Sequence, residues 1–254
     1  MKKSHLIIVS VLVLILSCSS LKKAHLENNL FTKINFMTTD SVTVTGDLYL
    51  TNNSQAPLIL LFHQATFSRG EYREIAPKLN KLGYNCLAID QRSGLLSNGV
   101  KNETNKSAKK LNKPTKYVNA IPDLEATLNY AKTELKSDNI IIWGSSYSAA
   151  LVLFMASKYT ADIKGVLSFS PGEYFEIKDK SIESFTSKIK CPVFITSAKN
   201  EKNNWQGIYD NIKSPKSFYL PTTKGFHGSK ALWSNKEGNT AYWKAVESFL
   251  NQLK

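Results

Sequence analysis

The fold class predicted for this 254-residue chain is α/β, with helices flanking a mostly parallel central sheet of about eight strands, and three observations predict it. Continuous apolar runs bounded by turn residues, Ala56-Pro-Leu-Ile-Leu-Leu-Phe62, Ile140-Ile-Ile-Trp143 and Cys191-Pro-Val-Phe-Ile-Thr-Ser197, have the character of strands buried on both faces. Segments of helical period lie between such runs, one of them placing Leu124, Leu128, Ala131 and Leu135 on a single face. The length and a 42% hydrophobic content suit one domain with a full core, and no internal repeat or Pro/Gly/Ser-rich linker divides it.

The N-terminus stands apart from that domain. Lys2 and Lys3 precede the apolar run Leu6 to Ser17, which is short of the ~20 residues of a membrane span but suits the apolar core of a signal peptide. The run ends in Leu16-Ser17-Cys18, which looks like a bacterial lipobox. Residues 1–17 are therefore expected to be a lipoprotein signal, Cys18 the lipidated mature N-terminus, and 18–29 a polar tether. An uncleaved anchor and ordinary secretion are the alternatives. The expected location is the bacterial cell envelope, extracytoplasmic and held to a membrane by the lipid.

The domain is expected over residues 30–254. Residues 30–51 read as two antiparallel strands around Thr38-Thr-Asp-Ser41. A third strand at 57–62 leads to a helix that stops at Leu82-Gly83 and has Pro77 in an irregular first turn, and a fourth strand covers 85–89. Residues 93–116 read as a long polar loop leaving the carboxyl end of the sheet, either a substrate-recognition flap or a solvated insert. A helix opened by Pro122 and Asp123 follows. After the run at 140–145 come a buried helix to Lys158, strands at Ile163–Ser170, Cys191–Ser197 and Ser217–Leu220, and an amphipathic closing helix over Thr240–Leu250.

The chemistry turns on Gly144-Ser145-Ser146-Tyr147-Ser148, where the buried strand breaks and passes at once into a helix. A serine at such a corner is lifted above the sheet over a helix N-terminus, which makes Ser146 the candidate nucleophile. The segment departs from the G-x-S-x-G pattern at Ser148. A serine hydroxyl needs a general base within hydrogen-bond reach, and His227, in Gly225-Phe-His-Gly228, can fill that role. The base needs a carboxylate to hold its tautomer. Glu201, after the strand at 191–197, and Glu173, after the strand at 163–170, are the candidates.

Over roughly residues 30–254 the chain resembles the α/β-hydrolase family, in its esterase and dienelactone-hydrolase-like branch. The likeness rests on His63-Gln-Ala-Thr-Phe-Ser-Arg-Gly70, on Leu82 through Arg92, on the Ser146 corner and the His227 loop, and on the chain order nucleophile, acid, histidine. It implies a serine hydrolase of the EC 3.1.1 type, cleaving carboxylic esters of small-molecule acyl substrates through an acyl-enzyme. Ser146, His227 and Glu201 would form the triad, since the family's usual aspartate position falls near Asn200 and Glu201 is adjacent. Glu173 stays as the alternative. The oxyanion hole would use the amides of Tyr147 and Ala65, with Gln64 second, because the family has His-Gly where this chain has His63-Gln64. By the same resemblance His63 supports the oxyanion loop and Asp90-Gln-Arg92 shapes the pocket. Only about 20 residues separate the strands before and after Glu173, too few for a large cap domain, so an open site is expected. A peptidase on the same fold, or a binding lipoprotein that kept the fold without turnover, are the competing readings.

The charge balance is 33 Lys and Arg against 20 Asp and Glu, a net +13. Only Arg69, Arg73 and Arg92 are arginines, which points to a dispersed lysine coat rather than a nucleic-acid site, although it suits proximity to an anionic membrane. Cys86 and Cys191 fall inside strands and read as buried thiols. With four histidines and no Cys/His cluster at ligand spacing, neither a metal nor another cofactor is indicated.

Overall fold

The computed structural model describes residues 30–53 and 55–253, so the expected signal peptide, tether and Cys18 lie outside the described residues. The chain divides into two units, Met1–Thr32 and Lys33–Lys254, and the fold is that of the second. Among the described residues, β1 (Thr32–Met37), β2 (Thr43–Tyr49), β3 (Leu58–Phe62), β4 (Asn85–Ile89), β7 (Ile140–Ser145), β8 (Ile163–Phe169), β9 (Val193–Thr196) and β10 (Lys216–Tyr219) form one eight-stranded sheet. Their spatial order is β1-β2-β4-β3-β7-β8-β9-β10, while β5 (Leu96–Ser97) and β6 (Val100–Lys101) make a separate hairpin. β2 is antiparallel to β4, and from β4 through β10 all neighbours are parallel.

Helices α1 (Ile75–Lys81), α2 (Glu103–Lys110), α3 (Ile121–Thr133), α4 (Tyr147–Lys158), α5 (Glu183–Thr186), α6 (Lys202–Asn211) and α7 (Asn239–Asn251) join the strands. β3 and β4 are buried at every residue, because side chains on both faces of a parallel sheet are covered by helices and no polar alternation is needed. β1, at the sheet edge, alternates between exposed and half-buried positions at its far end. α4 is buried around nearly its whole circumference, which its run Tyr147-Ser-Ala-Ala-Leu-Val-Leu-Phe-Met permits. Cys86 in β4 and Cys191 before β9 are buried and free, with β3, β7 and β8 between their strands.

The stretch 93–116 differs from the irregular loop expected of it. It contains the β5–β6 hairpin and α2, whose first turn is capped by the Asn102 side chain accepting from the Asn105 amide at 2.7 Å. α2 is tied to β2, since the Thr45 and Thr43 amides donate to the hydroxyls of Thr104 and Ser107 at 2.9 and 3.0 Å. Long-range bonds of this kind have no signature in hydrophobic periodicity. Between β8 and β9 the only helix among the described residues is the four-residue α5, so no large cap domain is present.

Parallel strands end at one edge of the sheet. Their carboxyl ends therefore bring together His63 after β3, Asp90 after β4, Ser146 after β7, Ser170 after β8 and the loops after β9 and β10.

Candidate active site

Ser146 sits between the end of β7 and the first residue of α4 with φ +59° and ψ −123°, a conformation that L-residues other than glycine rarely adopt. The strained turn is held across the sheet, where the Ser146 amide donates to the Phe169 carbonyl at 2.7 Å. Gly144 makes the turn sterically feasible: a Cβ there would lie 2.2 Å from the Ser148 carbonyl oxygen. Ser148 is not a mere tolerated departure. Its hydroxyl donates to the His63 carbonyl and accepts from Gln91 Nε2, each at 2.6 Å, so it ties the start of α4 to the ends of β3 and β4.

His227 reaches the corner from the loop after β10, with its Nε2 2.8 Å from Ser146 Oγ and its Nδ1 2.7 Å from Glu201 Oε1. The two glycines around it are there for close approach rather than for flexibility. Gly225 (φ +66°) and Gly228 (φ +72°) are both left-handed; a Cβ on Gly225 would lie 2.3 Å from the Tyr242 hydroxyl, and one on Gly228 2.6 Å from Ser145 Oγ. Glu201 closes a 3₁₀ turn after β9. Its second oxygen accepts from Ser170 Oγ at 2.7 Å and the Ala198 amide at 3.1 Å. Burial would raise the Glu201 carboxyl, but the hydrogen bonds from His227, Ser170 and Ala198 outweigh it and hold the group below its ordinary range. Glu173 is elsewhere: its carboxylate accepts from the Ile182 and Glu183 amides at 2.6 and 2.8 Å.

A family model described as alpha/beta hydrolase fold matches residues 57–220. The chain belongs to that family. No curated protein sequence matches it. Solved structures share the fold at low identity. A dienelactone hydrolase from Anabaena variabilis is 13% identical with a TM-score of 0.67, over 88% of this chain and 98% of that one. An esterase from Pyrococcus furiosus is 20% identical with a TM-score of 0.66, over 88% and 91%. Est1E from Butyrivibrio proteoclasticus, in a structure with ferulic acid bound, is 15% identical with a TM-score of 0.68, over 87% and 98%.

Among the described residues of this alpha/beta hydrolase, two backbone amides at the carboxyl end of the sheet have no hydrogen-bond acceptor. Tyr147 is the first residue of α4, so its amide has no intrahelical acceptor, and the helix N-terminus adds positive potential there. In the loop after β3 the Gln64 amide is taken, because it donates to Glu71 Oε2 at 2.7 Å. That leaves Ala65, held in a turn that Thr66 completes at φ +65°.

His63 is fully buried and neutral. The Gln91 amide donates to its Nε2 at 2.9 Å, so Nδ1 carries the proton and donates to the Gln64 carbonyl at 2.8 Å. Burial lowers its pKa to about 4. Asp90 and Arg92 do not shape the pocket as expected. Asp90 accepts from the Arg69 amide and guanidinium at 2.8 and 2.6 Å, and Arg92 binds Asp123 and Asp40 at 2.8 Å each. All four side chains that form these pairs' buried part, Arg69, Asp90, Arg92 and Asp123, belong to the framework under the loops.

Sequence reasoning missed Glu71. It is completely buried and joins three loops: Oε2 accepts from the Gln64 amide, Oε1 accepts from Ser145 Oγ at 2.8 Å, and Ser145 Oγ accepts in turn from the Ser229 amide at 2.8 Å. Burial raises it to about 7, against hydrogen bonds from Gln64 and Ser145. Nothing in the periodicity around Arg69-Gly-Glu-Tyr72 marks it, because its partners lie far along the chain.

Proposed function

We propose that the protein is a carboxylic ester hydrolase working through Ser146, His227 and Glu201. The observation that carries this reading is the unbroken line Ser146 Oγ to His227 Nε2 at 2.8 Å and His227 Nδ1 to Glu201 Oε1 at 2.7 Å, at a strained corner over a helix N-terminus. In the reaction His227 takes the Ser146 proton as Oγ attacks the ester carbonyl, and Glu201 stabilises the imidazolium so formed. The negative oxygen of the tetrahedral intermediate is met by the amides of Tyr147 and Ala65. Collapse expels the alcohol, which leaves with the proton held on His227 Nε2. Water then attacks the acyl-enzyme, giving its proton to His227, and the carboxylic acid departs as Ser146 regains a proton. The Pyrococcus furiosus esterase that shares the fold supports the choice of ester over other acyl bonds.

Ser146→Ala tests the assignment, with an expected loss of ~10⁶-fold in kcat on an activated ester and of labelling by an organophosphonate probe. Retention of a tenth of the activity, with the fold intact, moves the nucleophile elsewhere. The same reading includes lipid on Cys18 and attachment to the outside of a bacterial membrane, supported by Lys2, Lys3, the apolar run and Ser17-Cys18. Mass spectrometry of the mature N-terminus checks it, an unmodified Cys18 being the contrary result.

A further inference from the structure

A groove of about 320 Å³ is lined by Lys116, Tyr117, Val118, Tyr174 and Phe175. Its walls are continuous with the site. Tyr117 stacks on Tyr147, the residue after the nucleophile, with ring centroids 4.7 Å apart and planes at 20°. The Tyr174 hydroxyl donates to the carbonyl of Ser170, whose side chain is hydrogen-bonded to Glu201. Phe175 meets Tyr117 edge to face, at 6.5 Å and 62°. Tyr117 and Tyr174 nevertheless stay 40% and 38% exposed, large ring surfaces left uncovered beside the nucleophile.

Which half of an ester would enter follows from the position of the base. His227 must deliver its proton to the departing alcohol, so the alcohol lies on its side. His227 does not line the aromatic groove; it borders a separate cavity of about 450 Å³ with Asn200, Lys224, Phe226, Lys230 and Glu237. The acyl half is thus left to the aromatic groove. Aromatic rings presenting both a face and an edge fit a planar ring, which is held by offset and edge contacts at little conformational cost, better than a flexible alkyl chain. Resting on the ester-hydrolase reading, we propose that this groove is the acyl pocket and that it selects an aromatic acyl group, with its ring against Tyr117 and Phe175.

The test is a series of p-nitrophenyl esters, acetyl, butyryl, hexanoyl, octanoyl, benzoyl and cinnamoyl, each rate normalised to alkaline hydrolysis of the same ester. The aromatic acyl groups are expected to exceed acetyl in kcat/KM by about tenfold, equivalent to ~1.4 kcal/mol. Tyr117→Ala and Phe175→Leu should each bring that ratio toward one, and the ratio is independent of how much active enzyme folds. Preference for hexanoyl or octanoyl over the aromatic groups, or a ratio that neither variant moves, overturns the proposal. Failure of the underlying reading looks different: no ester in the series, acetyl included, is turned over, and Ser146 takes no label.

Discussion

Replacing Glu201 by glutamine separates charge from shape at the triad, and the structure says why the amide cannot serve in either orientation. If its oxygen faces His227 Nδ1, its NH₂ is driven toward the Ala198 amide, a donor that now contacts Glu201 at 3.1 Å, and toward Ser170 Oγ, which already accepts from the Gly228 amide at 2.9 Å. If its NH₂ faces His227 instead, Nδ1 must accept, the proton moves to Nε2, and the histidine can no longer take the proton of Ser146 from 2.8 Å. Both orientations also remove the negative charge that offsets the imidazolium. The loss in kcat should be about 10⁴-fold, the size seen when a triad carboxylate becomes an amide, and equivalent to ~5 kcal/mol. Steady-state kinetics on an activated ester measures it, with thermal denaturation to establish that the variant is folded. Glu173→Gln is the control. Among the described residues Glu173 accepts from the Ile182 and Glu183 amides, away from His227, so the kcat of that variant should stay within about twofold. A Glu201→Gln enzyme with more than a tenth of the wild-type kcat would refute the argument, and a large loss at Glu173 would move the acid to the segment after β8.

Glu71 should give stability a pH dependence of unusual sign for a carboxyl. Its native pKa of about 7 lies above the ordinary 4.5 of an unfolded chain, so the native state keeps a proton that the unfolded state has released. That contribution is complete below pH 4.5 and is lost as pH rises through 7, so Glu71→Gln should gain about 3 kcal/mol relative to wild type across the interval. Chemical denaturation of both proteins at several pH values reads the difference, and a constant offset is the contrary result. Ser148→Gly restores the usual glycine yet should be less stable by about 1–3 kcal/mol, since it deletes the bonds to the His63 carbonyl and Gln91 Nε2. A denaturation midpoint equal to or above wild type would show that those bonds contribute nothing.

The legible part of the site was local. Gly144 and Ser146 could be read because a strand, a sharp corner and a helix follow one another within a dozen residues, and each leaves its own pattern. His227 was legible from the glycines beside it, although their reason, contact with Tyr242 and with Ser145, was not. The acid could be narrowed only to two carboxylates, because both follow strands of the same sheet and one 3₁₀ turn decides which faces the histidine. α2 escaped notice since its apolar face is small and its attachment to β2 is made by threonine and serine hydroxyls. Asp90 and Arg92 were misassigned for a related reason: a buried charged side chain and a pocket-lining one are the same letter in a sequence, and only the burial of Arg92 against Asp123 distinguishes them.

By itself the sequence determined the order of the strands of the main sheet and of α1, α3, α4 and α7, the parallel core and the position of the strained serine, all consequences of which neighbours along the chain are apolar, small or bulky. Tertiary structure alone decided which carboxylate meets His227, which amide after β3 is left for an oxyanion, and that Glu71 binds three loops together. Those choices depend on distances of about 3 Å between residues separated by 7 to 84 positions, such as Gln64 with Glu71 and Ser145 with Ser229. Hydrophobic patterning fixes the packing of elements to within a side chain, whereas a hydrogen bond is made or lost within a fraction of an ångström.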